Sequence, residues 1–304
     1  METKRTLNVE ASVKARLLNL SKKRGVDMNL ILIQFGIERF LYRLSKSKYH
    51  EKFVLKGAML FVLWETLPNR PTRDVDFLGF GLNDAGQLKN IFKEICTLEV
   101  EEDGLKFSPE SIEASIIKKD DAYKGVRIKL QAYLGRARIP IQADIGYGDS
   151  VYPSPKEVKY PSLLNFEEPT LKVYSIHTVI AEKFQAMVEL GISTSRMKDF
   201  YDIWYLGKNM PLEKDTLLIA IEKTFERRGT DIPQDSELIF LDEFLTNEQK
   251  LSQWNGFLKR NSLVSSTPSF DEVISCVKNL LTPYIKKLNS GKNPKESESQ
   301  GVSV

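Results

Sequence analysis

The spacing of apolar and polar positions divides this chain into a helical start, a strand-rich middle and a helical second half. Two helices are predicted over residues 7–47. The first runs from about Val9 to Arg24 and stops at Gly25, a residue suited to the left-handed turn that closes a helix. The second starts after Asp27, a capping residue, and continues to about Ser47. Its apolar positions Leu30, Ile33, Ile37, Phe40 and Leu41 keep helical spacing. Two helices with a glycine turn also fit a DNA-reading pair, with Lys14, Arg16, Lys22, Lys23 and Arg24 on phosphates. The second helix is too apolar to lie in a groove, so a pair packed on the core is the favoured reading.

Further along, Phe53–Lys56 is a short strand that ends at Gly57. Ala58–Trp64 is apolar on all sides and is expected to be helical. Leu67–Arg73 is a loop with two prolines, and Asp74–Leu78 alternates as a strand. A helix is predicted over Asp84–Thr97, capped by Asn83 or Asp84. Gly79 and Gly81 precede it, but Gly86 is too far along to complete a dinucleotide-binding motif. Residues 105–147 form a strand region, clearest in Val126–Leu130 and Ile139–Ile145. Pro153, Pro155, Pro161 and Pro169 then mark a linker or surface crossing, and the domain boundary is placed there.

The second half opens with a well-marked helix, Ser175–Leu190, capped by Ser175 and stopped by Gly191. Arg196–Leu206, Leu217–Arg227 and Phe270–Lys287 follow as helices, with Trp254 and Phe257 packed on the bundle. The expected organisation is residues 1–150, N-terminal helices and a sheet domain; 151–170, a Pro-rich connection; 171–288, a helical domain; and 289–304, a polar disordered tail.

Composition narrows the class. The chain has 304 residues, 41% hydrophobic and 28% charged, with a net charge of +3. These are the proportions of a globular protein, and the charge permits nucleic-acid contact without arguing for it. Cys96 and Cys276 match no metal or disulfide pattern. The N-terminal stretch has no apolar segment of a signal peptide, and no run is long enough to span a membrane, so a cytoplasmic, membrane-free setting is expected. His50 and His177 are isolated in sequence.

The candidate chemistry gathers on carboxylates. Successive strand side chains point to opposite faces, so Asp74 and Asp76 share one face while Val75 and Phe77 take the other. Two carboxylates so placed repel unless a cation sits between them, and their oxygens suit Mg²⁺. Gly57 lies where a strand meets a helix and would let the backbone approach a triphosphate. Asp144 falls on the face of its strand opposite Ile141, Ala143 and Ile145, a polar strand position. In the second half, Lys183 falls inside the apolar arc of its helix with Ile176, Val179, Ile180, Phe184, Met187 and Leu190. Such a lysine must snorkel, find a carboxylate or line a cavity. Asp199 and Asp202, three apart on the next helix, are candidate partners, with Arg196 one turn earlier.

These residues carry a resemblance. Lys56-Gly57-Ala58, Arg70-x-Thr72-x-Asp74-Val75-Asp76, Ala181-Glu182-Lys183 and Arg196-x-Lys198-Asp199-x-x-Asp202 resemble, in order, the motifs of the AbiEii/AbiGii toxins. That family lies within the DNA polymerase β-like nucleotidyltransferases. The resemblance covers about residues 10–210. It implies an α+β fold: a polymerase β-like palm, a mixed sheet with helices, followed by a C-terminal helical domain. It also implies a bacterial toxin of a toxin–antitoxin or phage-abortive system that transfers NMP from an NTP (CTP or GTP) with Mg²⁺, with the tRNA 3′ acceptor end as a substrate and a cognate antitoxin as a partner. Asp74, Asp76 and Asp144 would hold the metal. Lys56, Gly57, Ala58, Thr72 and Arg73 would line the nucleotide, Ala58 offering a backbone N–H where many relatives have a hydroxyl or glycine. Lys183 and the Asp199/Asp202 pair would be needed for activity, the lysine neutralising departing pyrophosphate. Basic residues Lys118, Lys119, Lys124, Arg127, Lys129, Arg136 and Arg138 would contact tRNA or form a solvated strand face.

Two other readings compete. Asp144 with Glu157-Val158-Lys159 fits the spacing of a metal-dependent nuclease, although that triplet lies among prolines. A transferase domain that binds nucleotide without catalysis is the other, favoured by Ala58.

Overall fold

The computed structural model describes residues 8–64, 72–81, 83–120, 123–234, 242–261, 263 and 268–291. Within these residues the chain forms two compact units. One comprises Met1–Asp149 with Ser154–Tyr174, the other Ser150–Pro153 with Ser175–Val304.

The first unit begins with α1 (Val9–Arg24) and α2 (Met28–Lys46). Gly25, at φ 63°, closes α1, and Asp27 caps α2 by accepting the Asn29 and Leu30 amides at 2.9 and 3.2 Å. Strand β1 (Phe53–Lys56) leads into a 3₁₀ turn, Gly57–Val62, in place of the expected α-helix. Six residues offer little propagation to offset the cost of nucleating an α-helix. Next come β2 (Asp74–Gly79), α3 (Ala85–Cys96, capped by Asp84), β3 (Leu105–Asp120), β4 (Tyr123–Leu134) and β5 (Ala137–Tyr147).

The Pro-rich stretch then departs from its expected role as a linker. It supplies β6 (Lys156–Lys159) and β7 (Thr170–Val173), which pair antiparallel. Its four prolines fall outside both strands, so they cost the ladder no hydrogen bond. The first unit therefore continues to Tyr174, well past the boundary expected from composition.

Among the described residues these strands make a seven-stranded mixed sheet in the order β3-β4-β5-β2-β1-β7-β6. Helices α2 and α3 cover the apolar face. Phe53 meets Phe77 at 5.5 Å between ring centroids, and Phe92 of α3 stacks on Phe40 of α2 at 5.0 Å. Gly36 lets α2 settle onto β5, since a Cβ there would fall 2.9 Å from the Ile139 side chain. Burying so many aromatic and branched side chains supplies the main drive for this layer, at about 25 cal/mol per Å² of apolar surface.

Helix α2 also buries charge. Arg39 is fully buried, donates to Asp103 at 3.0 Å and lies over the Tyr42 and Phe166 rings at 4.1 and 5.0 Å. Glu38 accepts from the Ser162 hydroxyl and the Leu163 amide, both at 2.7 Å, and its burial raises its pKa despite these bonds. Asp103 is held in turn by Arg43 at 2.7 Å. These pairs fasten the Pro-rich segment and the turn before β3 to α2, which fits a packed helix and not a groove-binding one.

The second unit is helical: α4 (Ile176–Leu190), α5 (Met197–Asn209), α6 (Lys214–Arg228), α7 (Asp242–Thr246), α8 (Glu248–Arg260) and α9 (Phe270–Gly291). Ser175 caps α4 by accepting the Thr178 amide at 3.1 Å. Phe184 packs on Phe225 at 5.1 Å, and Trp254 stacks on Phe270 at 4.9 Å. Of the tail expected over residues 289–304, Asn289–Gly291 complete α9 and the rest lies outside the described residues. No helix among the described residues is long and apolar enough to cross a membrane.

Candidate active site

Strand register builds the site. Lys56 of β1 pairs with Asp76 of β2, Asp76 with Asp144 of β5, and Asp144 with Arg127 of β4. Directly opposed residues share a face of the sheet, so these four form a transverse row of cation, two carboxylates and cation. One pleat away, Asp74 pairs with Gln142 and Gln142 with Lys129. All of these stand on the face opposite Val75, Phe77, Ala143 and Ile145, which are buried.

Each carboxylate has a distinct setting. Asp144 is gripped by both arms of Arg127, Nε at 2.8 Å from Oδ1 and Nη2 at 2.7 Å from Oδ2. Arg127 has its pKa raised, first by this hydrogen bond, then, against desolvation, by the charges of Asp144, Asp74 and Asp76. The guanidinium therefore feels all three acids. Asp74 has the Thr72 hydroxyl 2.9 Å from its Oδ1, with the Asp74 carbonyl at 3.1 Å as a second acceptor. Asp76 faces the backbone of Gly57. At φ 73°, Gly57 sits where an added Cβ would meet Asp76 Oδ2 at 2.2 Å. The turn thus brings bare backbone against a carboxylate, a cradle that a side chain would fill.

The other expected nucleotide-lining residues fall around this row. Lys56 places its ammonium 2.6 Å from Asp149 Oδ2 and 5.2 Å from the centre of the Tyr174 ring. Asp149 was not foreseen; its place just past the end of β5 gave no signal of a partner on β1. Arg73 is exposed, Ala58 is half-buried, and Arg70 lies outside the described residues. The oxygen-rich donor set suits a hard divalent cation. Asp74, Asp76 and Asp144 are the residues that would hold it.

In the second unit, Lys183 of α4 finds the carboxylates anticipated for it. Its Nζ lies 2.8 Å from Asp199 Oδ1 and 2.7 Å from Asp202 Oδ2, and Arg196 Nε lies 2.6 Å from Asp199 Oδ2. Both aspartates are fully buried, while the lysine keeps 12% of its side chain exposed. Burial pushes the Asp199 carboxyl up, but Lys183 and Arg196 outweigh it and hold the pKa below the ordinary value.

The sequence profile of the AbiEii nucleotidyl transferase toxins, type IV toxin–antitoxin systems, matches residues 39–276. The chain belongs to this family. No curated protein sequence matches it. Two crystal structures from Helicobacter pylori are similar in outline. One is described as a "putative nucleotidyltransferase", with 15% identity, 85% of this chain and 96% of that one covered, and a TM-score of 0.49. The other, of JHP933, has 16% identity, covers 86% and 94%, and has a TM-score of 0.44.

Within this AbiEii chain the mixed sheet followed by a helical unit is the α+β arrangement of a nucleotidyltransferase. The nuclease constellation does not assemble. Asp144 lies on β5 and Glu157 and Lys159 on β6, with β2, β1 and β7 between them. Four strand spacings place them about 19 Å apart, too far to share a metal. Arg127, read as a tRNA contact or a solvated residue, keeps 37% of its side chain exposed and is the bidentate partner of Asp144. His50, isolated in sequence, gains neighbours through the fold. It forms with Glu51 and Glu157 an exposed group whose ligand atoms lie within 4.8 Å of one another. Glu51 there also pairs with Lys172. Asp74, Asp76 and Asp144 are not drawn that close together, and Asp144 is turned to Arg127. His177 accepts the Glu213 amide at Nε2, 3.1 Å away.

Proposed function

We propose that this AbiEii-family chain transfers a nucleoside monophosphate from an NTP to a nucleic-acid hydroxyl, with the tRNA 3′ acceptor end as the acceptor. The observation that carries this reading is the transverse row: Asp76 and Asp144 are adjacent across β2 and β5, with the Gly57 backbone against Asp76. Asp74, Asp76 and Asp144 would hold a divalent cation, Mg²⁺ in this reading, which would supply positive charge for the phosphates and for the charge that builds in the transition state. Gly57 and the amides after it approach the outer phosphates of CTP or GTP, helped by Lys56, Thr72 and Arg73. The acceptor oxygen bonds to the α-phosphorus while the bond to the bridging oxygen breaks and pyrophosphate departs. Asp144 accepts the hydroxyl proton.

In this reading the Lys183 ammonium compensates the charge of departing pyrophosphate. Asp199 and Asp202 fix the lysine's position. The exposed basic side chains Lys129, Arg136 and Arg138 on the β4–β5 hairpin suit an RNA backbone. The side chains of Lys118, Lys119 and Lys124 lie outside the described residues. Being a type IV toxin, the chain is paired with an antitoxin, and cytoplasmic action follows from an RNA substrate.

Expression in a bacterial host tests this reading. The wild-type chain is expected to slow growth, and Asp74→Asn and Asp76→Asn are expected to restore it at equal protein level. Growth slowed equally by all three would remove the carboxylate pair from the account.

A further inference from the structure

The row on the sheet is unevenly held. Arg127 takes the whole head of Asp144, one nitrogen on each oxygen, at 2.8 and 2.7 Å. A planar fork of this kind engages both oxygens of a carboxylate at once and matches phosphate equally well. The pair stands at the open face of the sheet, with 37% of the Arg127 side chain and 20% of the Asp144 side chain exposed. The bond can therefore open without disturbing the apolar face below. A divalent cation on Asp144 would sit beside the guanidinium charge, and like charges at such distances repel strongly. A cation on Asp144 and the Arg127 guanidinium therefore oppose one another at the same carboxylate.

We infer that Arg127 is a latch on Asp144: it holds that carboxylate until a phosphate group draws the guanidinium away, and Asp144 then turns to the divalent cation and the incoming hydroxyl. This rests on the proposed function, because it takes Asp74, Asp76 and Asp144 as one metal-binding set. Arg127 is thus a positioning residue with two stations. In the first it keeps the third carboxylate oriented and neutralised. In the second it binds a phosphate of either the acceptor strand or the NTP. Full metal occupancy is then delayed until substrate is in place.

The test is direct metal binding. Mn²⁺ alone is added to the full chain, and free Mn²⁺ is read by electron paramagnetic resonance, with no turnover involved. Arg127→Gln is expected to bind Mn²⁺ at least about fivefold more tightly than wild type, the low end of ordinary coupling between sites. Arg127→Lys, which keeps the charge but not the fork, is expected to fall between them. Equal or weaker binding by Arg127→Gln overturns the latch. Asp74→Asn separates the two levels: if it binds Mn²⁺ as wild type does, the carboxylate set itself is wrong, whatever the arginine does. A second arm follows the Arg127 Nε–H resonance, assigned by its loss in Arg127→Gln. It is expected to shift on addition of a short RNA oligonucleotide or of GTP in EDTA, and the ligand that shifts it identifies the source of the phosphate. A resonance that moves with neither overturns the release step.

Discussion

Gly57 and Asp76 are in steric contact that no other residue at position 57 would allow. A Cβ on Gly57 would lie 2.2 Å from Asp76 Oδ2, and the glycine's φ of 73° is one that side chains rarely adopt. The turn after β1 and the second acid of β2 are thus a single structural device. Gly57→Ala is expected to displace the Asp76 carboxylate and cut nucleotide transfer on the order of a hundredfold. Rates on a labelled NTP check this, alongside thermal unfolding. A full-rate Gly57→Ala would show that the close approach is incidental.

Lys183 is expected to reveal itself first in stability. Its removal takes the ammonium from 2.7 Å of Asp202 and 2.8 Å of Asp199, both carboxylates fully buried. Breaking a buried pair from one side typically costs about 3–5 kcal/mol. Urea unfolding of Lys183→Ala should show a loss of that order, and Asp74→Asn, on a partly open face, should show little. Lys183→Ala with unchanged stability would mean the cluster is far better solvated than its burial indicates. Loss of toxicity in this variant alone is therefore weak evidence for a catalytic role, and rate must be measured on folded protein.

The same cluster sets an acid limit. Burial raises the Asp199 pKa, but Lys183 and Arg196 bring it below its ordinary value of 3.8. A depressed carboxylate contributes stability that is fully present above the unfolded pKa of about 3.9. That contribution is lost as pH falls through the lower folded value. His177 adds a milder slope of the same sign, since burial lowers its pKa from 6.5 and its ring accepts the Glu213 amide. Unfolding free energy should therefore fall as pH drops below about 6.5, and fall again in strong acid. Urea midpoints across pH 4–8 check the first slope. His177→Asn should flatten it, and an unchanged slope would assign it elsewhere.

Much of this was legible in the chain. Period-two alternation placed Asp74, Asp76 and Asp144 on polar strand faces, and helical spacing put Lys183 out of place on an apolar arc. Capping residues Asp27 and Ser175 marked their helices as local chemistry dictates. What was hidden was long-range. Neither β6 nor β7 has enough residues to outweigh four prolines in a local reading. The Arg127–Asp144 pair depends on strand register and the Lys56–Asp149 pair on the path of the chain after β5, neither of which periodicity gives. Glu38, Arg39 and Arg43 are charged positions that a hydrophobic pattern assigns to solvent, yet each is buried because Asp103, Ser162 and Leu163 meet them there.

Transfer of NMP by the acidic face of the sheet is open to a direct assay. The most direct measurement incubates the purified chain with total RNA, Mg²⁺ and each α-labelled NTP in turn, beside Asp74→Asn. Label on RNA of full tRNA length, from the wild-type chain and not from the variant, is the predicted result. No label from any of the four nucleotides, or shortened RNA in place of labelled RNA, would contradict it.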